Sequence, residues 1–149
     1  MTLKQKIYIH YLQAINDKIA GLQKILADLK ESGANETKST AGDKHETALA
    51  MLQIEQANVR EQLKEAQQQQ AVLKKINPEL SPAIIVPGSL VKTNNGYLFL
   101  SIAGGKAIIE GLMVMALSPQ SPLGQKLLQA SKGGSVTINT TTYTIESVE

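Results

Sequence analysis

The stretch Glu31–Glu46, ESGANETKSTAGDKHE, decides how the chain folds, because the residues on its two sides repeat one helical pattern in mirror image. Before it, Tyr8, Leu12, Ile15, Ile19, Leu22, Leu26 and Leu29 recur at alternating intervals of four and three, the spacing of a single helical seam. After it, Leu49, Leu52, Gln56, Val59, Leu63, Ala66, Gln70 and Leu73 do the same. Facing positions of an antiparallel pair sum to a constant. Leu29 with Leu49, Leu26 with Leu52, Ile19 with Val59, Ile15 with Leu63 and Leu12 with Ala66 all give 78. The pattern predicts an antiparallel helical hairpin centred on Ser39, with Gln56 opposite Leu22 and Gln70 opposite Tyr8, where polar seam residues cost stability but fix register.

Working outward from the tip, the first helix is expected from Met1 to about Lys30, with Ser32-Gly33 as its exit and a loop from Gly33 to Gly42. Gly21 is its weak point, costing about 1 kcal/mol relative to alanine in a helix interior. Asp43, followed three residues later by Glu46, reads as the N-cap of a second helix running from about Lys44 to Ile76. Asn77-Pro78 ends that helix, since proline disfavours helical geometry at the residue before it. Ile7, Tyr11, Ala14 and Ile25 widen the apolar stripe of the first helix beyond a strict seam, and at the base of the hairpin such residues could pack on a second domain. The run Gln67–Gln70 reads as a solvated helix face. At a rise of about 1.5 Å per residue the arm from Tyr8 to the tip would extend roughly 45 Å, a length that its own core does not require. Reach is the use that such length suggests.

Pro78, Pro82 and Pro87 mark residues 78–83 as a stiff linker between a hairpin of residues 1–77 and a second domain of residues 84–149. There the period changes to that of strands: Val86–Val91 and Tyr97–Ile102 around a Thr93–Gly96 turn, then Ala107–Ile109, Leu112–Leu117, Ser135–Asn139 and Thr141–Ser147. Between the fourth and fifth segments Ser121 reads as the N-cap, and Pro122 as the first residue, of a short helix reaching about Ala130. The fold class is therefore α+β, a long helical hairpin followed by a small sheet domain with one short helix.

The 149 residues hold no cysteine, which excludes disulfides and thiolate metal sites and agrees with a reducing compartment. No apolar run is long enough to span a membrane, and Lys4 and Lys6 are not followed by a signal-peptide core, so a cytoplasmic protein is expected. The net charge of +2 is too small for general nucleic-acid affinity, but it is unevenly placed. Residues 1–30 carry five lysines against Asp17 and Asp28, whereas residues 31–46 carry Glu31, Glu36, Asp43 and Glu46 against Lys38 and Lys44. The tip is acidic and the stalk basic.

This order of elements, together with Ala116–Leu128, ALSPQSPLGQKLL, and the following Gly133-Gly134-Ser135-Val136, resembles the GreA/GreB family of bacterial transcript-cleavage factors. The resemblance covers most of the chain; Gly134 stands where the family's turn usually has Asp, and Gln129 where its helix usually ends in Gly. It implies an FKBP-like C-terminal domain, a hairpin that enters the secondary channel of RNA polymerase, and tip acids that help hold the polymerase's second Mg²⁺ and its water. Such an ion prefers carboxylate oxygens and can stabilise both the attacking and the leaving oxygen of a phosphodiester displacement. Aligned on Lys38, Glu36 falls at the family's first tip acid, Ser39 at the second, and Asp43 opposite an accessory acid. The resemblance makes Glu36 and Asp43 metal-assisting residues only in complex, with Lys38, Met113, Met115, Leu123 and Leu127 as partner-contacting candidates, domain core being the other employment of the four apolar ones. It implies no catalysis by the chain alone, no cofactor of its own, nucleic acid met only through the polymerase, and a monomer.

Two other readings compete with this one. A peptidyl-prolyl isomerase would need an aromatic-lined pocket, for which the second domain offers only Tyr97, Phe99 and Tyr143. A coiled-coil adaptor or chaperone would use the same hairpin without tip chemistry. His10 and His45 lie near opposite ends of the inferred hairpin, His45 beside Asp43 and Glu46 being the only one placed to ligate a metal. Gly104-Gly105 and Gly133-Gly134 lack the strand-to-helix context of a phosphate loop, and no nucleophile-histidine-acid constellation is present.

Overall fold

Among the described residues two long helices precede six strands and one short helix, as the period change near residue 84 predicts. The computed structural model describes the backbone of residues 1–36 and 42–149, and the side chains of residues 1–34 and 46–149. The elements are α1 (Leu3–Glu36), α2 (Gly42–Lys74), β1 (Leu90–Thr93), β2 (Gly96–Leu100), β3 (Gly105–Ile109), β4 (Leu112–Leu117), α3 (Pro122–Leu128), β5 (Ser135–Ile138) and β6 (Thr141–Val148). They form two compact units, one of Ala14–Gln70 and one that joins Met1–Gln13 to Ala71–Glu149.

In the first unit the seam positions are the least exposed on both helices: Ile15, Ile19 and Leu22 on α1 and Ala66 on α2 are buried, and Leu26, Leu29, Leu52, Val59 and Leu63 are half-buried. The hairpin is thus present, but its register differs from the mirror prediction. Gln56 Nε2 donates to the Leu29 carbonyl at 3.4 Å, and Gln70 Nε2 donates to Asn16 Oδ1 at 2.7 Å. These pairs sum to 85 and 86, not 78, which places Gln56 beside Leu29 instead of Leu22, and Gln70 beside Asn16 instead of Tyr8. A seam that alternates three and four repeats itself after every heptad, so sliding one helix by several residues still faces apolar layers with apolar layers. The glutamines break that degeneracy, because a polar seam residue must find an acceptor.

The expected helix boundaries at the tip also move. α1 continues through Ser32-Gly33 to Glu36, and α2 already includes Gly42, so Asp43 lies within its first turn instead of capping it. Glycine permits a helix exit without compelling one. At its other end α2 stops at Lys74, and the chain leaves it by tighter bonds from Lys75 N to the Val72 carbonyl and from Ile76 N to the Leu73 carbonyl.

The second unit is built on a sheet of order β3-β4-β2-β1-β6-β5, in which β2 and β4 are parallel and the other pairs antiparallel. Alternation along the strands gives the sheet two buried faces. Val91, Leu98, Leu100, Leu117 and Ile145 pack with Leu123 and Leu127 of α3. On the opposite face Phe99 meets Tyr11, their ring centroids 6.2 Å apart, and the Tyr11 hydroxyl donates to the Gly105 carbonyl at 2.8 Å. Burial raises the Tyr11 pKa, which keeps the phenol a donor. Ile7 and Leu73 are fully buried in the same unit. Of the four residues that widen the α1 stripe, Ile7 and Tyr11 are therefore packed, whereas Ala14 and Ile25 remain exposed.

The segment between α2 and β1 belongs to this unit as well. Ile85 joins the α3 core, and a Cβ added to Gly88, whose φ is 98°, would stand 3.1 Å from Ile76 Cγ2. The first strand begins at Leu90, four residues later than the apolar run at Val86 suggests, because Pro87 has no N–H to donate and Gly88 takes a left-handed conformation.

Candidate functional site

The tip residues that the family resemblance selects divide by what is described of them. Lys38 and Ser39 lie outside the described residues, and so do the side chains of Glu36, Asp43 and His45. The backbone puts Glu36 at the last position of α1 and Asp43 at the second of α2. Nearest them among the described side chains, Glu31 and Glu46 are both exposed. Among the described residues no group of three or more His, Asp and Glu side chains gathers as a metal site.

The four apolar candidates for partner contact separate clearly. Leu123 and Leu127 are core residues, the latter with no exposed surface, so a partner cannot reach them. Helical spacing places them on the inner face of α3, and Ser121 fixes that helix by accepting the Gly124 N–H at 3.0 Å. Met113 is 50 % exposed and Met115 half-buried, two residues apart and so on one face of β4. They line a shallow hollow with Tyr97, Leu98, Lys106 and Tyr143. Directly across the β3–β4 pair from Met113 stands Ile108, 70 % exposed, which no feature of the sequence singles out. A strand of five residues at a sheet edge gives no periodic signal that would tell an inward isoleucine from an outward one.

The three aromatics required by the isomerase reading do not converge. Tyr97 and Tyr143 border the hollow, but Phe99 is fully buried against Tyr11. No helix among the described residues is long and apolar enough to cross a membrane. The chain matches no model of a known protein family and no curated protein.

Proposed function

We propose that the chain is a Gre-like regulator of transcription elongation in the cytosol, which binds RNA polymerase by passing the hairpin tip into the secondary channel. The observation that supports this most is the doubled helix of Ala14–Gln70, whose sequence is acidic over residues 31–46 and whose described flanks are exposed along most of their length. A narrow, polar, doubled helix suits insertion into a channel better than it suits making a core. In this reading Glu36 and Asp43 share the polymerase's Mg²⁺ and water, and the chain brings carboxylates without holding an ion itself. The Ile108 and Met113 face is the docking surface of the sheet unit, since it is the exposed apolar part of β3 and β4.

The test is a pull-down of polymerase with the intact chain, followed by cleavage of purified backtracked complexes. Glu36→Ala with Asp43→Ala should lower stimulated cleavage by about tenfold to a hundredfold while polymerase binding is unchanged. Equal cleavage by the double variant removes the metal-assisting role, and failure of the intact chain to retain polymerase removes the whole reading. For the docking face, Ile108→Ser with Met113→Ser should weaken polymerase binding by about tenfold, with stability altered by no more than about 0.5 kcal/mol because both side chains are exposed.

A coiled-coil adaptor is the second reading, favoured by one observation: Met51 and Ile54 are 60 % and 62 % exposed on α2. If the flank grips a partner, Met51→Ser with Ile54→Ser should remove the activity and the tip variant should retain it. The Gre-like reading requires the reverse.

A further inference from the structure

A buried cation stands at the wall of an apolar cleft in the sheet unit, and no part of the proposed polymerase role uses it. Lys4 keeps only 4 % of its surface exposed. Its ammonium group makes one hydrogen bond among the described residues, to the Leu80 carbonyl at 2.6 Å, so two of its three N–H donors have no protein acceptor. The ion pairs among the described residues are Lys6 with Glu110 and Lys92 with Glu146; Lys4 has none. A desolvated charge with unfilled donors is costly to keep, and burial accordingly lowers the Lys4 pKa, with Glu149 acting in the opposite sense.

The cleft beside it has a volume of about 360 Å³, within the range of small-molecule sites. Its wall is mainly Val72, Ile76, Leu80, Val86, Pro87 and Leu100, and its ionisable members are Lys4 and Lys75, with no carboxylate. Pro82, Pro87 and Pro119 stiffen the lining, so the space exists without rearrangement. An occupant must therefore be apolar over most of its length and negative at one end.

We propose that this cleft binds a medium-chain fatty carboxylate, its alkyl chain against Val72, Ile76, Leu80 and Val86 and its head accepting hydrogen bonds from the Lys4 ammonium. A second hollow that Lys4 also borders is a poorer place for an anion, since Glu79 and Glu149 line it. The ammonium holds the carboxylate by charge-assisted bonds, and its bond to the Leu80 carbonyl anchors the lysine at the cleft wall.

Titration of the full chain with decanoate, decanol and decyltrimethylammonium, followed by backbone amide NMR shifts and calorimetry, tests this. Decanoate should bind saturably and shift the amides of Val86, Leu100 and Ser101. Decanol should bind about tenfold or more weakly and the cationic analogue not at all, since a hydrogen bond to a charged group is what separates them. Lys4→Met should bring decanoate down to the affinity of decanol, and Val86→Trp, which fills the cleft, should abolish both. Absence of saturable decanoate binding, equal affinity for decanol, or shifts confined to the Met113 hollow would each overturn the proposal. The comparison of the three probes on the unaltered chain decides it even where a variant fails to fold.

Discussion

Gly124→Ala is expected to destabilise the sheet unit by about 3 kcal/mol, at the upper end of what overpacking usually costs. The reason lies in the loop before α3. The Ser118 carbonyl accepts from Ser121 N at 3.1 Å and from Ser121 Oγ at 2.6 Å, while Ser121 Oγ accepts from Gly124 N at 3.0 Å. This closed arrangement draws the first turn of α3 onto the loop so tightly that a Cβ at residue 124 would lie 2.1 Å from the Ser118 oxygen and 2.9 Å from Ser121 Oγ. Backbone on one side and a capping hydroxyl on the other leave no flexible atom to give way. Accommodation must break the cap, worth about 1 kcal/mol, and shift α3, whose Leu123 and Leu127 are core. Gly21→Ala provides the contrast. Nothing lies within 4 Å of a Cβ there, and the site is exposed in the middle of α1, so alanine should stabilise the helix by about 1 kcal/mol. Urea unfolding of both variants checks the pair, and a Gly124→Ala midpoint equal to that of the unaltered chain would refute the closed-loop account.

That same loop shows why some of the fold is legible in the residues and some is not. Ser121 and Pro122 announce a helix start by local chemistry alone, and the structure has the cap and the first residue where they put them. Leu112–Leu117 is bounded by Gly111 on one side and Ser118-Pro119 on the other, and the strand matches that span. Pairing is another matter. β4 lies parallel to β2 with β3 outside it, an arrangement that no local period encodes, because a strand's alternation says which residues share a face and nothing about its neighbour. The hairpin register fails for the related reason that its seam repeats. Partner surfaces suffer most: Leu127 and Met113 are both apolar residues in apolar segments, yet one is fully buried and the other half-exposed. In the sequence Lys4 is one of five lysines of a basic stalk with nothing to set it apart, since charge in a sequence carries no mark of burial.

Residues 84–149 expressed alone are expected not to fold, although the period change makes them look like a complete domain. One face of their sheet depends on residues from the distant ends of the hairpin. Tyr11 stacks near Phe99, closes on the Gly105 carbonyl and fills the space over Gly104, where an added Cβ would be 2.9 Å from Tyr11 Cδ1. Ile7 and Leu73 are buried in the same unit, and Ile76 packs on Gly88. Removing these groups uncovers Phe99, Leu90 and Val114, each fully buried in the intact chain, and losing one large side chain from such a core already costs about 3–5 kcal/mol. That is most of the stability of a small domain. Tyr11→Ala in the full chain should therefore cost about 3–5 kcal/mol, and Tyr11→Phe only about 1 kcal/mol, the worth of its hydrogen bond. The complementary experiment keeps Met1–Gln13 and Ala71–Glu149 and replaces residues 14–70 by a short glycine-serine connection, which the nearness of Asn16 to Gln70 permits. This version should give dispersed amide shifts and cooperative urea unfolding, where the 84–149 fragment gives neither. Cooperative unfolding of the fragment at the midpoint of the joined version would mean that the helix ends contribute nothing, and that the burial of Tyr11 is incidental to the sheet beneath it.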